Sequence, residues 1–250
     1  MDSGNYIRAL SFKNCIVLVT HKQDKDVLRY ISHIAEVSDG IMDFYVLFDS
    51  SNCQPHFSAM PNINVFEYNS KDLDGFFFAG NKLLPNVLVA LLDFAQSKHY
   101  DHYLVMEFDI VLNGRFGDFI NKVNSIDDID YIHIGYDPEG APENHWPTKY
   151  IQNNPFRKLY FAWCHIFYIS HHFLKDVGQF MAKNNSFYYE FLLPTMAYNG
   201  DYMVKQFENM GYQFNVSWGP ADKYETIYKE CARNNTFYHP IKDLSIVTFK

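Results

Sequence analysis

An open α/β sheet is the fold that this sequence predicts, and two kinds of segment carry the prediction. Short apolar runs rich in β-branched residues are typical of parallel strands that are covered on both faces. Between them lie segments whose apolar residues recur three and four positions apart, which indicates helices. Up to residue 136 these segments alternate as β-α-β-β-α-β-α-β, the order of an open α/β fold. We therefore expect a mixed, mostly parallel central sheet flanked by helices.

The composition indicates one globular domain with an acidic balance. The 250 residues are 48% hydrophobic and 18% aromatic, which is enough for a sizeable core. No composition break marks a linker, so we expect a single domain over residues 1–250. The formal net charge of -8 argues against a nucleic-acid partner, because phosphate backbones are bound by clustered lysine and arginine.

The cysteines and the N-terminal segment predict where the protein is located. The four cysteines lie far apart without a C-x-x-C pair, which favours neither a zinc ribbon nor a disulfide framework and agrees with a reducing compartment. The first residues lack the profile of a signal peptide, and no apolar run approaches the roughly 20 residues that span a bilayer. We expect a cytoplasmic protein without a transmembrane segment, and a peripheral membrane contact stays open.

The first predicted unit is a strand, a helix and a second strand. Residues 15–20 form a continuous apolar run. From Asp26 onward apolar residues recur at helical spacing, with Asp24 or Asp26 able to cap the start of the helix and Gly40 able to end it. A strand over residues 43–49 completes a β-α-β unit, whose parallel pairing should be right-handed.

The next segment leads to the centre of the predicted sheet. We expect a third strand over residues 63–68, then an irregular segment over residues 71–80. A helix is predicted over residues 81–97, with Pro85 in its first turn. This helix is apolar nearly all round, which indicates burial. It precedes a buried strand within residues 100–114.

Two carboxylates, one residue apart, end that buried strand. Glu107 and Asp109 fall on the same side of the backbone because side chains alternate along a strand, so they could share one cation. The structural alternative is that Asp109 caps the following turn. The pair therefore predicts a metal site only together with further ligands.

The second half of the chain contains fewer clear elements. A short helix, a strand and a long loop follow, over residues 116–123, 130–136 and 137–155. The loop lacks periodicity, and we expect it to form a lid or the wall of an acceptor site. Residues 159–170 are strand-like, and Ser170 could cap the next helix. The adjacent His171 and His172 are then helix-start residues that diverge too far to chelate one ion.

These elements resemble those of the glycosyltransferases of the GT-A fold. In that family a D-x-D-type motif after a buried strand binds a divalent metal and the nucleotide-sugar diphosphate, and the E-x-D pair is a variant of it. Residues 15–23 resemble the first strand and nucleotide-contacting loop of the family, and Asp49 matches the acidic residue that often meets the base or ribose. Residues 238–242 resemble the late element that supplies a metal-binding histidine.

The resemblance implies a nucleotide-diphosphate sugar donor, a glycan or lipid-linked acceptor, and a Mn²⁺ or Mg²⁺ ion. It assigns the donor to Thr20, Lys22, Asp49, Lys82, Glu107 and Lys242, and the metal to Asp109, His239 and Glu107. It also divides the domain into a nucleotide-sugar-binding half, about residues 13–136, and an acceptor-binding half, about residues 137–250. In the latter Trp146, Trp163 and Trp218 could stack on sugar faces.

Elementary chemistry favours the same ligand set. Magnesium and manganese prefer oxygen ligands, commonly one or two carboxylates plus substrate phosphates, and manganese accepts an imidazole as well. Taken alone, His239 is more often a surface or core histidine. Glu107 is longer than the usual aspartate, so contact with the metal could be direct or through water or ribose. The metal and a cation such as Lys242 or Lys82 would stabilise the leaving phosphate.

An inverting reaction would also need a base that takes the acceptor proton. Glu190 is the candidate by its position, and its aromatic-rich setting could raise its pKa. The structural alternative is a glutamate on a helix surface. A retaining reaction would assign Glu190 differently, and the sequence leaves both stereochemical outcomes open.

Two other functions stay open beside the glycosyltransferase. The sequence lacks the P-loop, dinucleotide-binding, zincin and common hydrolase motifs. A nucleotidyltransferase with a similar core would want a glycine-rich basic loop after the first strand, where His21, Lys22 and Gln23 supply one lysine and no glycine. A catalytically inactive GT-A-like protein that binds a nucleotide or glycan is the third possibility.

Overall fold

The computed structural model describes most of the chain. The described residues are 13–57, 63–73, 76–78, 81–84, 87–135, 151, 154–183, 187–217 and 219–249, with residues 76–78 and 81–84 described by their backbone alone. Residues 137–150, most of the predicted lid, lie outside this set together with Trp146 and Trp218.

A seven-stranded mixed sheet forms the centre of the molecule. In spatial order its strands are β10 (Val204–Gln206), β8 (Tyr131–Ile134), β9 (Trp163–Ser170), β6 (His102–Glu107), β1 (Asn14–Thr20), β2 (Asp43–Asp49) and β3 (Asn64–Tyr68). Only β9 runs against its neighbours, β6 and β8, and the other neighbouring strands are parallel. The predicted mixed, mostly parallel sheet is therefore confirmed, and strands from both predicted halves belong to it.

Helices pack on this sheet. Those in the described residues are α1 (Lys25–Ser38), α2 (Val87–Ser97), α3 (Phe116–Asn124), α4 (His171–Met181), α5 (Tyr189–Asn199) and α6 (Ala221–Cys231). Alternate residues of β1 pack into separate apolar clusters, with Ile16 in one and Val17 in the other, as expected for a strand covered on both faces. None of the described helices is long and apolar enough to cross a bilayer.

Two predicted helix starts are confirmed by their caps. The side chain of Asp24 accepts hydrogen bonds from the backbone N–H groups of Asp26 and Val27 at the start of α1. At the start of α4, Ser170 accepts one from Phe173. These side chains satisfy backbone donors that have no partner inside the helix. His171 and the residue after it therefore begin α4, as predicted.

The prediction for residues 71–97 was wrong in two places. Residues 76–78, expected to be irregular, form β4 (Phe76–Phe78), which pairs antiparallel with β5 (Asn81–Leu84). The predicted helix start is thus a strand, and α2 begins only at Val87. Pro85 follows Leu84 in the sequence, and a residue before proline is disfavoured in the helical conformation. A short apolar run does not distinguish a strand from a buried helix by periodicity alone.

A small three-stranded sheet brings the C-terminal segment to the end of β6. Its spatial order is β11 (Gln213–Val216), β12 (Thr236–His239) and β7 (Val111–Asn113). The short strand β7 was not predicted. It lies four residues beyond the end of β6 and pairs antiparallel with β12, so the end of β12 lies beside the turn after β6. The backbone N–H of Ile241 donates to the carbonyl of Asp109 at 2.9 Å and fixes this approach.

Candidate functional site

A large cavity opens at the carboxyl ends of the parallel strands. Its volume is about 940 Å³, and residues at or just after the ends of β1, β2, β3 and β6 line it together with the segments after β11 and β12. In open α/β sheets this edge is where ligands bind. Six of the predicted site residues line the cavity: Thr20, Asp49, Glu107, Asp109, His239 and Lys242.

Glu107 is the centre of the polar cluster in this cavity. It is the last residue of β6, and the register of the antiparallel pair places Met106 opposite Ile166. The next residues along, Glu107 and His165, therefore lie beside each other, and Oε2 of Glu107 is 3.1 Å from Nδ1 of His165. The hydroxyl of Tyr189 donates to the other oxygen, Oε1, at 3.3 Å.

His239 joins both predicted carboxylates from the opposite end of the chain. Its Nε2 lies 3.1 Å from Oε2 of Glu107 and 3.3 Å from Oδ1 of Asp109. Its Nδ1 lies 3.0 Å from the carbonyl of Ser217, which can only accept, so Nδ1 carries a proton. The two carboxylates and the imidazole thus form one contact group although 130 residues separate Asp109 from His239 in the chain.

The two imidazoles of the cluster stack on each other. The ring centroids of His165 and His239 are 3.6 Å apart with an interplanar angle of 20°. His165 also stacks on Trp163, with ring centroids 5.4 Å apart and an interplanar angle of 19°. Both histidines are buried, whereas 28% of the Glu107 side chain is exposed. The cluster is therefore fixed by packing and meets the cavity mainly through Glu107.

The charges of the cluster are set by burial and by these contacts. Burial alone would raise the pKa of Glu107, but His165 and His239 together outweigh it and lower the pKa below its usual range. Burial lowers the pKa of His239, yet the hydrogen bonds to Asp109 and Glu107 outweigh it and raise the pKa to about 10. For His165 burial dominates, and the pKa is lowered. At neutral pH the cluster therefore combines an anionic Glu107, a cationic His239 and a neutral His165.

The donor atoms of the cluster suit a divalent metal ion. Ligands at neighbouring corners of an octahedral ion, with bonds of about 2.1 Å, lie about 3.0 Å apart. One oxygen of Glu107 lies 3.1 Å from a nitrogen of each histidine, and the ligand atoms of Glu107, His165 and His239 all lie within 4.8 Å of one another. Asp109 contacts the same nitrogen of His239 and could supply a further oxygen. These residues could hold a metal once His239 loses its proton.

The remaining cavity residues among the predicted set are held by local hydrogen bonds. Oγ1 of Thr20 accepts from the backbone N–H of Lys22 at 2.9 Å and closes the turn after β1. One carboxylate oxygen of Asp49 accepts from the N–H groups of Ser51 and Ser70, at 3.0 and 3.1 Å. Burial would raise the pKa of Asp49, but these hydrogen bonds outweigh it and lower the pKa. Asp49 thus ties together the loops after β2 and β3 at the cavity wall.

Lys242 supplies a positive charge at the cavity. Its Nζ lies 3.9 Å from Oδ2 of Asp109, and 55% of its side chain is exposed. A salt bridge so exposed contributes little stability. The ammonium group is therefore available to a ligand that enters beside Asp109.

Two predicted site residues, Lys22 and Glu190, are not among the described residues that line the cavity, and the side chain of a third is not described. Nζ of Lys22 lies 5.3 Å from the ring centroid of Phe108, and Lys22 is not among the lining residues. Lys82 lies on β5, where only the backbone is described. Glu190 lies in the first turn of α5, is fully buried, and accepts weakly from the N–H of Cys164 at 3.5 Å. The expected alternative for Glu190, a position on a helix surface, was wrong.

Sequence reasoning missed His165 and Tyr189. His165 interrupts a run of apolar residues in β9, and such a polar residue in a buried strand is the sign that could have revealed it. That His165 lies beside Glu107 depends on the pairing of β9 with β6, and no local sequence pattern predicts that pairing. Lys71, a further lysine in the cavity lining, was also not singled out.

Several solved structures are similar to this one. An active-site mutant of the galactosyltransferase LgtC shares 12% sequence identity over 95% of this chain and 84% of that chain, with a TM-score of 0.49. The mannosyltransferase PcManGT from Pyrobaculum calidifontis, in complex with GDP-Man and Mn²⁺, shares 8% identity over 79% and 55% of the chains, with a TM-score of 0.46. CMP:2-keto-3-deoxy-manno-octonic acid synthetase complexed with CTP shares 13% identity over 67% and 78%, with a TM-score of 0.40.

No protein-family model and no curated protein matches the sequence. The first two of these structures are glycosyltransferases, and the third is a synthetase in complex with CTP.

Proposed function

We propose that this protein transfers a sugar from a nucleotide-diphosphate donor to an acceptor hydroxyl with the help of a divalent metal. One observation carries the proposal. His239 comes from a distant segment, and its Nε2 lies 3.1 Å from Glu107 and 3.3 Å from Asp109 in a cavity at the carboxyl ends of parallel strands. A cavity of about 940 Å³ is large enough for a ligand of this size.

The chemistry of the cavity suits a diphosphate at one end. The chain has a formal net charge of -8, so a phosphate ligand needs local positive charge. A metal held by Glu107, Asp109 and His239 would neutralise the developing charge of the leaving diphosphate. Lys242 lies beside Asp109 with most of its side chain exposed, and it would contact the same phosphates.

The other end of the cavity is formed by the loops after β1, β2 and β3, and we assign it to the nucleoside. Thr20 and Asp49 line it, and Tyr68 and Lys71 add an aromatic face and a further cation. Asp49 keeps its charge in its hydrogen-bonded position, which suits a role as acceptor for ribose hydroxyls. This arrangement corresponds to the nucleotide-sugar-binding half predicted over about residues 13–136.

Tyrosine side chains mark the side on which we place the acceptor. Tyr188 and Tyr189 line the cavity next to Glu107, with ring centroids 4.7 Å apart. Aromatic faces of this kind suit the apolar face of a sugar ring, so a glycan or a glycan on a lipid carrier is the acceptor class we propose. Glu190 would have to become exposed to take the acceptor proton. Full activity in a Glu190→Gln variant would remove it from the mechanism.

A binding protein without turnover is the second candidate. The observation that favours it is the burial of Glu190, which leaves the predicted base outside the cavity. A nucleotidyltransferase is less favoured, because Lys22, the one lysine in the loop after β1, lies over Phe108 rather than in the cavity lining.

The proposal is tested first by binding. Thermal unfolding would be followed with UDP, GDP, CDP and ADP, each with Mn²⁺ or with a chelator. We expect at least one diphosphate to raise the unfolding temperature, and only when the metal is present. At a ligand concentration of 100 times the Kd, the free energy of unfolding should rise by about 2.7 kcal/mol. Failure of every diphosphate to stabilise the protein would overturn the donor-binding proposal.

Turnover separates the candidates after that. We expect slow hydrolysis of the sugar donor whose diphosphate binds, and faster release of the diphosphate when an acceptor glycan is added. Binding without any release would establish the inactive binder. Release of pyrophosphate from a nucleoside triphosphate would establish the nucleotidyltransferase.

A further inference from the structure

His165 lies outside the set of metal ligands that the sequence predicts, yet it contacts both Glu107 and His239. Its Nδ1 contacts Glu107 at 3.1 Å, and its ring stacks on His239. Within the described residues its other ring nitrogen, Nε2, is buried without a hydrogen-bond partner. The ring of His165 is therefore held by stacking and by its contact with Glu107, and Nδ1 is the nitrogen that lies beside another possible ligand atom.

The cluster already contains the ligands of a metal site before any nucleotide arrives. Glu107 ends a strand, and His165 and His239 lie on strands as well, so regular backbone pairing holds all three. His239 is further fixed by Ser217, and Glu107 by Tyr189. A site with three positioned protein ligands loses little conformational entropy when a metal binds.

The donor set also restricts which metal can bind. Magnesium takes oxygen ligands and usually keeps several waters, held by one or two carboxylates plus substrate phosphates. Imidazole nitrogen suits first-row transition ions, whose affinity for a given site rises from manganese through cobalt. Two imidazoles and one carboxylate within 4.8 Å of one another are therefore a poor site for magnesium.

We infer that the chain binds a transition-metal ion, of the Mn²⁺ or Co²⁺ class, at Glu107, His165 and His239 without any nucleotide, and that His165 sets the preference over Mg²⁺. The inference deepens the proposed function, because it names the ion class and the order of binding at the same site. In this metal site His165 is the ligand that determines the selectivity. Asp109, which lies beside Lys242, would add an oxygen ligand.

Isothermal titration calorimetry of the nucleotide-free full chain tests this inference. The protein would be treated with chelator, dialysed, and titrated with MnCl₂, CoCl₂ and MgCl₂. We expect about one Mn²⁺ or Co²⁺ per chain, with Co²⁺ bound more tightly than Mn²⁺ and Mg²⁺ weaker than Co²⁺ by on the order of 100-fold. Equal affinity for Mg²⁺ and Co²⁺, or no binding of any ion without nucleotide, would overturn it.

Two variants show whether His165 is the cause. His165→Gln should lower the affinity for Co²⁺ by about 10- to 100-fold and leave that for Mg²⁺ nearly unchanged, so the ratio between the ions collapses. The matched control is His102→Gln, which removes a partly buried histidine from the other end of β6, where it contacts Asn14 and the carbonyl of Ile129. We expect the control to keep the wild-type ratio. An unchanged ratio of Co²⁺ to Mg²⁺ affinity in His165→Gln would overturn the role of His165. If that variant does not fold, the titrations of the wild-type chain with the three ions decide the inference.

The outcomes separate this inference from the proposed function. If Co²⁺ binds as expected but no nucleotide diphosphate stabilises the loaded protein, the donor proposal is wrong and the metal inference holds. If a diphosphate stabilises the protein in the presence of Mn²⁺ but calorimetry finds no metal bound to the nucleotide-free chain, the donor proposal survives and the metal inference is wrong.

Discussion

Among the described residues two pairs of histidines are in ring contact, and one of these pairs is a candidate metal site. His165 and His239 stack at 3.6 Å in the main cavity. His99 and His171 meet at 4.0 Å and 58° in a groove of about 560 Å³ between α2 and α4. The first pair has a carboxylate, Glu107, in contact with both rings. The second pair has a lysine, Lys175, and no acidic side chain among the described residues that line its groove.

The difference between the pairs follows from their places in the fold. The ends of β6 and β12 bring acidic and imidazole side chains together, and main-chain pairing fixes them. The second pair lies where two helices pack, and Nδ1 of His171 is taken by the hydroxyl of Tyr103 at 2.8 Å. Burial, His99 and Lys175 lower the pKa of His171, in that order of importance. Two close imidazoles therefore do not define a metal site unless an anion lies between them.

The largest effect on metal affinity should come from removing the carboxylate of the first histidine pair, which the second pair lacks. Glu107→Gln removes the anion that contacts both imidazoles, and we expect the affinity for Mn²⁺ to fall by at least about 100-fold, with a similar loss of donor turnover. Calorimetry and donor hydrolysis measure the two effects. Glu36→Gln, which neutralises an exposed glutamate on α1, is the control. Wild-type metal affinity in Glu107→Gln would show that the two histidines bind the ion without it.

The metal-free protein should show that the two pairs respond to pH with opposite sign. The pKa of His239 is raised from 6.5 to about 10, so its contribution to stability is complete below about pH 6.5 and is lost as the pH rises through about 10. The pKa of His171 is lowered, so its contribution is present above about pH 6.5 and is lost as the pH falls.

Urea unfolding with chelator present, between pH 5 and pH 10, measures these contributions. The difference in unfolding free energy between wild type and His239→Gln should shrink as the pH rises. For His171→Gln the difference should shrink as the pH falls. If both differences change in the same direction, the charges assigned to the two pairs are wrong.

A smaller effect is expected at the edge of the first cluster. Asp109→Asn keeps the shape of the side chain but removes the charge that contacts His239 at 3.3 Å and Lys242 at 3.9 Å. We expect the affinity for Mn²⁺ to fall by about tenfold, less than for Glu107→Gln, because Asp109 contacts one of the two imidazoles. Asp118→Asn, at an exposed aspartate of α3, is the control. A loss larger than that of Glu107→Gln would make Asp109 the principal ligand.

The smallest effect should come from the hydrogen bond that orients Glu107. Tyr189→Phe removes the hydroxyl that donates to Oε1 at 3.3 Å, and a neutral donor to a carboxylate at this distance contributes about 1 kcal/mol. Metal affinity should therefore fall by about fivefold with the Co²⁺ to Mg²⁺ preference retained. A changed preference would mean that Tyr189, and not His165, sets the selectivity.

The parts of the fold that the sequence predicts best are those with local patterns. The unit β1-α1-β2 follows from apolar periodicity and from Asp24, whose cap acts within three residues. The meeting of Glu107, Asp109 and His239 was expected from a family resemblance and not from any local pattern. Local patterns failed where pairing decides, since residues 76–78 were expected to be irregular and residues 81–84 helical, whereas they pair with each other as β4 and β5.

The partners of the site residues were the hardest part to predict. His165 reaches Glu107 because β9 pairs with β6 across a separation of 58 residues. Glu190 lies among aromatic residues in the sequence, and neither a cavity position nor full burial follows from that composition. Its burial depends on how α5 packs against β9.

The reversed direction of β9 has a consequence for how this protein could be re-engineered. Because β9 runs against β6, position 165 lies inside a strand, with paired backbone beyond it, and not on a loop whose path depends on its own sequence. Exchanging the donor atom there, for example with aspartate or cysteine, would leave the main chain in place. A single substitution could therefore retune the preferred ion while the nucleoside end of the cavity keeps its shape.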